Sequence, residues 1–395
     1  MYFCNVKQTF MTIKRAIVSE MKFISTMYPI IALTGARQSG KSTLLKELYP
    51  DYRYLNFEDP YLRQYFANDP RGFLKEFHQF CIFDEAQRVP ELFSYLQGIV
   101  DSSKIMGQFI LSGSQNFLLL QSINQSLAGR VAIFKLFPFD FSELKSVNLL
   151  PKNYIEAMLK GFYPAIYDRD IPSNIFYSNY MQTYVERDIM DLVNIRDLKT
   201  FRSFVQICAT RAGQVINYTK LANDTNITVP TVKSWLSLLE SSYIIFMLHP
   251  LHNSFEKRVI KSPKLYFYDT GLLCNLLKLK NEKQVGNIAF KGSLFENMVI
   301  AEMVKHNYHN NLMQDFWYWR NSDGVEVDLI IQDDYLYNVF EVKSTSTIKT
   351  ELFKGIDYFD RIAKEHIKSK TLIYAGLEIQ NRTIAKVVSW YNVND

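Results

Sequence analysis

Short apolar runs separated by helix-prone stretches organise the first third of the chain. They lie near Ile30, Tyr54, Cys81, Phe109 and Val131, with polar or turn-forming residues between them. Runs that are apolar at consecutive positions suit strands covered on both faces. The alternation from about Tyr28 to Glu143 therefore predicts a parallel α/β layer. After Pro138 the pattern is mostly helical to Leu198, broken by Gly161, Pro164 and Pro172, with an amphipathic helix expected over 184–191.

The pattern changes again after residue 199. Helices are expected near 201–207, 218–222 and 229–239, the third with Val232, Trp235, Leu236 and Leu239 on one face and Thr231, Lys233, Ser234 and Ser237 on the other. Strands at 243–248 and 265–268 follow, joined by a basic connection containing Lys257, Arg258, Lys261 and Lys264. This order reads as a winged helix-turn-helix, with the basic wing on DNA phosphates or, equally, as a protein-binding module of the same shape. Further on, alternating strands at 325–331 and 337–343 flank a polar turn and pair as a hairpin. The expected units are an N-terminal helical segment (1–25), a nucleotide domain (26–145), a helical lid (146–198), the winged module (199–285) and a final domain (286–395).

Composition adds limits. A chain of 395 residues with 48% hydrophobic and 22% charged positions is folded and divided into several cores. A net charge of +5 permits a local nucleic-acid contact without arguing for one. Cys4, Cys81, Cys208 and Cys274 are too dispersed for a zinc site or a disulfide framework, which fits a reducing cytoplasm. No apolar stretch reaches the length of a membrane span.

The first chemically specific motif joins the strand at Ile30 to the helix after it. Gly35-Ala36-Arg37-Gln38-Ser39-Gly40-Lys41-Ser42, followed by Thr43, has the glycines and spacing of a phosphate-binding P-loop. Backbone N–H groups would cradle phosphate, Lys41 would reach the β- and γ-phosphates of ATP, and Ser42 would ligate Mg²⁺. The strand at 80–83 ends in Asp84, a second Mg²⁺ group, and Glu85, placed to activate the attacking water. Ser114, after the strand at 109–111, is a candidate γ-phosphate sensor. Arg130 is a candidate for transition-state charge, in its own site or across a subunit boundary, with a surface ion pair as the alternative. Glu58 and Asp59 are expected close to the nucleotide.

The second motif is the hairpin. With its turn centred between Asp334 and Tyr335, Asp328 falls opposite Glu341 and Glu326 opposite Lys343, while Val327 and Val342 turn to the core. Asp328 and Glu341 would sit close enough to share a divalent ion, with Lys343 directed at water or phosphate and Glu296 as a further ligand. The competing possibility is a half-solvated hairpin with Glu326 and Lys343 as a surface pair.

An ordered series of segments now carries a resemblance. ALTGARQSGKSTLL, IFDEAQRVP, LSGSQNFLL, SLAGRVAIFKLFPFDFSEL, YVERDI, KRVIKSPKLYFYDTGLL, GSLFENMVIAE, YWR, EVDLII and FEVKS occur in that order. The chain resembles bacterial and archaeal AAA-type ATPases that join a P-loop domain to a C-terminal domain of unknown function of the DUF4143 type. The resemblance implies an α/β fold: a P-loop AAA-type ATPase domain with a helical lid, a winged helix-turn-helix, and a C-terminal restriction-endonuclease-like α/β domain. In that fold the metal site is an Asp followed by Glu-X-Lys, which Asp328, Glu341 and Lys343 match, and Glu296 matches the acidic helix position. Implied cofactors are ATP and Mg²⁺, with Mn²⁺ an alternative at the C-terminal site. The implied activity is a slow ATPase controlling metal-dependent DNA cleavage, or a nucleotide switch that binds DNA or protein and cuts nothing; a homo-oligomer stays open.

Overall fold

The computed structural model describes residues 13–114, 116–185, 197–251 and 260–394. Five parallel strands form the first sheet: β1 (Ile30–Gly35), β2 (Arg53–Asn56), β3 (Cys81–Asp84), β4 (Phe109–Ser112) and β5 (Val131–Leu136), in the spatial order 2-3-4-1-5. Their side chains divide with a period of two. Ile30, Ala32, Phe83, Phe109 and Leu111 fill one core, while Ile31, Leu33, Ile82, Ile110, Phe134 and Leu136 fill another on the opposite face. Helices cover both faces, which is why these strands read as unbroken apolar runs.

The chain leaves β5 through a capping box at the helix Phe141–Ser146. Asp140 accepts from the Glu143 N–H at 2.8 Å, and Glu143 accepts from the Asp140 N–H at 3.0 Å. Helices Tyr154–Lys160, Pro164–Asp168 and Ser173–Tyr180 follow, the last two reaching the P-loop through Pro164 and Tyr180. There the Tyr180 hydroxyl meets the Arg37 carbonyl at 3.5 Å and the Tyr163 hydroxyl at 2.9 Å. A π-helical turn at Met181–Val185 ends this stretch, and the rest of the amphipathic helix expected over 184–191 lies outside the described residues.

Three helices, Leu198–Thr210, Tyr218–Thr225 and Val229–Ser241, then lead into β6 (Gln214–Val215, between the first two), β7 (Ile245–Pro250) and β8 (Lys264–Phe267). The third helix buries Val232, Trp235, Leu236 and Leu239, the apolar face read from the sequence. The last part begins with the helix Lys291–His309 and continues through β9 (Asp315–Arg320), β10 (Glu326–Asp333), β11 (Leu336–Lys343), the helix Lys354–Ala363, β12 (Ile367–Tyr374), β13 (Gln380–Asn381) and β14 (Lys386–Ser389). Parallel pairing of His249 with Trp317 and Pro250 with Tyr318 joins β7 to β9, so β6–β14 form one nine-stranded sheet.

The two sheets are not loosely tethered. One continuous apolar core runs from Ile13 and Ala36 through Phe137, Phe139 and Phe141 to the three-helix segment, the helix Lys291–His309 and Trp390. Inside it, the Thr34 hydroxyl on β1 meets the Tyr243 hydroxyl at 2.7 Å, and Phe137 stacks on Tyr268 with ring centroids 4.3 Å apart.

Candidate functional site

The P-loop lies at the carboxyl edge of β1. Gly35 has φ 145°, and a Cβ there would stand 2.0 Å from the Leu136 carbonyl oxygen, so β5 itself demands glycine. Gly40 has φ 96° and precedes the helix Lys41–Leu48, whose first turn supplies free N–H groups. Lys41 is buried, its ammonium donating to the Gly35 and Ala36 carbonyls at 3.0 Å each. Burial lowers its pKa, against the opposing pull of Glu85 and Asp84. Ser39 Oγ is buried with no hydrogen-bond partner inside the loop, and Gln38 takes a left-handed φ of 61°.

Because β4 separates β1 from β3, Ser112 at its end lies beside Asp84. Asp84 accepts from Ser42 Oγ at 2.6 Å and also from the hydroxyls of Tyr54 and Ser112. Burial pushes this carboxyl up, but the three hydroxyls and the Lys41 charge outweigh it and hold the group below its ordinary value. The hydroxyl of Ser42 and the carboxylate of Asp84 are the hard oxygen donors that Mg²⁺ takes, so these residues fit that ion. Glu85, at φ 52°, accepts from Gln87 Nε2 at 2.5 Å and Ser114 Oγ at 3.1 Å. Ser114 and Glu85 are thereby held together at the same edge.

One expectation about this edge changes, and Glu58 keeps its place beside the P-loop through Arg37. Arg130 precedes β5, and its carbonyl pairs with the Ile30 N–H at the start of β1. Five strand steps of about 3.3 Å put it roughly 16 Å from the P-loop end. Its guanidinium is tied to Asp101 at 2.5 and 2.9 Å, so a role at its own nucleotide site is excluded. Asp59 caps the helix Pro60–Asn68, accepting from the Tyr61 N–H at 2.9 Å, and Glu58 stands between Arg37 at 4.0 Å and Arg88 at 3.9 Å.

Sequence reasoning missed Arg15. Its buried guanidinium donates to the Ser39 carbonyl at 2.8 Å, the Phe137 carbonyl at 2.7 Å and Glu143 at 2.9 Å, bracing the loop against the exit of β5. It also missed a cavity of about 400 Å³ beside the P-loop helix, lined by Ile13, Thr43, Leu44, Phe139, Pro164 and Asp168 among others. No local motif marks either, because their parts come from three separated stretches of chain.

The hairpin has the register read from its turn. Pairs run from Leu329 with Phe340 to Asp333 with Leu336; Asp328 lies just beyond them, next to a register shift between Val327 and Ile330, and its carboxylate accepts from the Val342 N–H at 2.8 Å. Val327 and Val342 are buried as expected. The charged face is not solvated: Asp328 is 4% and Glu341 6% exposed. Lys343 donates to Asp328 at 3.0 Å and Glu341 at 2.5 Å, and Glu326 pairs with Arg320 at 3.0 Å, so the Glu326–Lys343 surface pair does not form. Burial, then the neighbouring Asp328, pushes Glu341 well above its ordinary value.

Lys264 is a correction. Read from the sequence as part of a basic wing on phosphate, it is 1% exposed and inside the acidic cluster. Its ammonium donates to Glu296 at 2.9 Å, bonds Glu326, and lies 4.0 Å from Asp328. Burial opposes its charge, but Glu296, Tyr266, Glu326 and Asp328 raise its pKa well above the ordinary lysine value. Burial pushes Glu296 up to about 7. That ammonium takes the place between Glu296, Glu326 and Asp328 that a shared divalent ion would need. Lys261 is exposed; Lys257 and Arg258 lie outside the described residues. Among those residues no helix is long and apolar enough to cross a membrane.

Comparison with known proteins agrees with the first of these sites. Residues 27–145 match the AAA domain, 151–283 a domain of unknown function (DUF8612), and 291–393 a domain of unknown function (DUF4143). An uncharacterized protein of Mycobacterium tuberculosis is 29% identical over 321 residues, covering 81% of this chain and 71% of its own. Another, from Haemophilus influenzae, is 24% identical over 397 residues, covering 91% and 94%. Solved structures with similarity include a Walker-type ATPase of Pyrococcus abyssi (16% identity, 66% of this chain and 94% of that one, TM-score 0.44). Another is AMPPCP-bound DnaA from Aquifex aeolicus (15% identity, 57% and 86%, TM-score 0.29). From residue 27 to residue 393 the chain carries an AAA-type P-loop ATPase domain, a middle domain of unknown function and a DUF4143 C-terminal domain.

Proposed function

We propose that this protein is a Mg-ATP-dependent switch: nucleotide bound at residues 35–43 is hydrolysed slowly, and its state sets how residues 199–394 engage a partner. The observation that carries this is the convergence of Lys41, the Ser42–Asp84 pair and the Glu85–Ser114 pair on one edge of a parallel sheet. Lys41 would leave its loop carbonyls for phosphate oxygens, and Ser39 Oγ is a spare polar group in the same cradle. Ser42 and Asp84 would hold Mg²⁺, which supplies charge neutralisation at the β- and γ-phosphates when bound. Glu85, released from Gln87 and Ser114, would orient water, and Ser114 would meet the γ-phosphate. The cavity beside Thr43, with apolar walls from Ile13, Leu44, Phe139 and Pro164, has the size and lining for the nucleoside.

Transmission to the second half has two buried routes, Thr34 to Tyr243 and Ser39 through Arg15 and Glu143 to His309. DNA is the first partner to test, through the helix Val229–Ser241 and exposed Lys261 read as a winged module. A second reading, metal-dependent DNA cleavage with Asp328, Glu341 and Glu296 as ligands and Lys343 toward phosphate, draws on the convergence of those groups; the ammonium of Lys264 among them speaks against it.

Calorimetry and a phosphate-release assay test the switch. Lys41→Ala is expected to lose ATP binding, and Glu85→Gln to bind ATP without turning it over. Wild-type ATP affinity in Lys41→Ala overturns the assignment. Linear, circular and single-stranded DNA, each with and without ATP, then show whether DNA is the partner; cleavage by wild type would restore the second reading.

A further inference from the structure

One carboxylate oxygen from each of Glu296, Glu326 and Asp328 lies within 4.8 Å of the other two, a spacing that hard divalent cations ask of oxygen donors. The groups come from the helix Lys291–His309 and from β10, and nothing on either element supplies a positive charge between them. That charge arrives from elsewhere in the chain. Lys264, at the start of β8, bonds Glu296 and Glu326 and faces Asp328.

Three features fix it there. Its backbone is in the middle of a three-stranded pairing, opposite Leu248 on β7 and Val215 on β6. Tyr318 places its ring 5.5 Å from the ammonium, a cation–π contact. Tyr266, two residues on and so on the same face of β8, donates to the same Glu296 oxygen at 2.6 Å. The side chain therefore has no solvent-facing position to retreat to without moving the strand. On the other side of Asp328, Lys343 spans to Glu341, whose Oε2 is buried with no hydrogen-bond partner. The cluster has four carboxylates and two ammonium groups, with the Arg320 guanidinium a further cation on Glu326 at 3.0 Å.

We propose that Lys264 is an intramolecular substitute for a divalent cation: the cluster is a cation site whose occupant is supplied by strand β8, and the native protein takes up no Mg²⁺ or Mn²⁺ there. A metal ion needs direct oxygen contacts and would share its centre with an ammonium of like sign, so the two occupants exclude each other. Removing the ammonium while keeping the length and apolar stem of the side chain opens the site. The cluster belongs to the second sheet, and Mn²⁺ binding to it can be read with no nucleotide present.

The experiment is a Mn²⁺ titration of the full-length protein, followed by the electron paramagnetic resonance of free and bound ion. Wild type is expected to show no Mn²⁺ bound at this cluster, so that Asp328→Asn leaves its titration unchanged. Lys264→Met is expected to gain one Mn²⁺, bound at least tenfold tighter than any in wild type, and adding Asp328→Asn to it abolishes the gain. Lys264→Met/Glu326→Gln, with one fewer negative charge in the cluster, is expected to gain a weaker site. Where a variant folds poorly, Mn²⁺ present during refolding restores its native melting transition. The proposal is overturned by a wild-type Mn²⁺ site that Asp328→Asn removes, by folded Lys264 variants that gain nothing, or by misfolded ones that Mn²⁺ does not rescue.

Discussion

Replacing Arg15 with Met tests whether the stretch before β1 braces the nucleotide loop. The substitution keeps much of the side chain's apolar volume and deletes three buried hydrogen bonds, to Glu143 and to the Ser39 and Phe137 carbonyls. Breaking a buried ion pair by removing one partner costs about 3–5 kcal/mol, because the remaining charge stays desolvated. Glu143 keeps the Ala16 and Asp140 N–H groups at 2.9 and 3.0 Å, which favours the lower end, about 3 kcal/mol. At roughly 2–4 °C per kcal/mol for a large domain, the melting temperature falls by about 6–12 °C. Arg15→Lys keeps a charge but loses the planar fork, so it falls between the two. Thermal unfolding with and without ATP is the assay, and the added stabilisation by ATP shrinks too, since the Ser39 carbonyl is no longer pinned. An Arg15→Met protein that melts with wild type and binds ATP equally well refutes the reasoning.

Two other expectations follow from single contacts. Gly35→Ala puts a Cβ 2.0 Å from the Leu136 carbonyl at an unfavourable φ, so it lowers both melting temperature and ATP affinity; calorimetry showing neither would mean that β5 yields at no cost. Glu302 is buried between Lys305 at 3.0 Å and the Phe141 N–H at 2.6 Å, and burial raises it from 4.5 to about 7. The folded state therefore holds a proton that the unfolded state gives up, so this group's contribution to stability falls as pH rises from about 4.5 to about 7 and is level above that. Denaturant midpoints for Glu302→Gln across that window are expected to slope less steeply than wild type; equal slopes would assign the pH dependence elsewhere.

What could be read from the sequence was what the chain settles locally. The P-loop sits within nine consecutive residues, so strand, turn and helix come with it. The hairpin register follows from a turn centre, which fixes the pairs from Asp333–Leu336 to Leu329–Phe340 by arithmetic, and beyond them Lys343 joins Asp328 to Glu341. Lys264 was misread because its charge was judged beside Lys257, Arg258 and Lys261, whereas its fate depends on Glu296, Glu326 and Asp328 far along the chain. One signal was available: Lys264 and Tyr266 share a face of a strand whose other residues are apolar, and a lysine opening such a strand needs a buried acid. Arg130 failed differently, since an arginine at a strand start was assessed without asking which end of the sheet that start occupies. Arg15 and the neighbouring cavity had no local mark, being assembled from the N-terminal stretch, the P-loop helix and the segment after β5.

The pairing of β7 with β9 has a consequence for how this protein can be taken apart, by an experimenter or by evolution. The boundary between the two domains of unknown function falls between residues 283 and 291, yet His249 and Pro250 are laddered to Trp317 and Tyr318 across it. Severing the chain there would bare two strand edges at once, each a template for association with another copy. The two regions therefore share one sheet, and a truncation in this linker tests solubility before it tests activity.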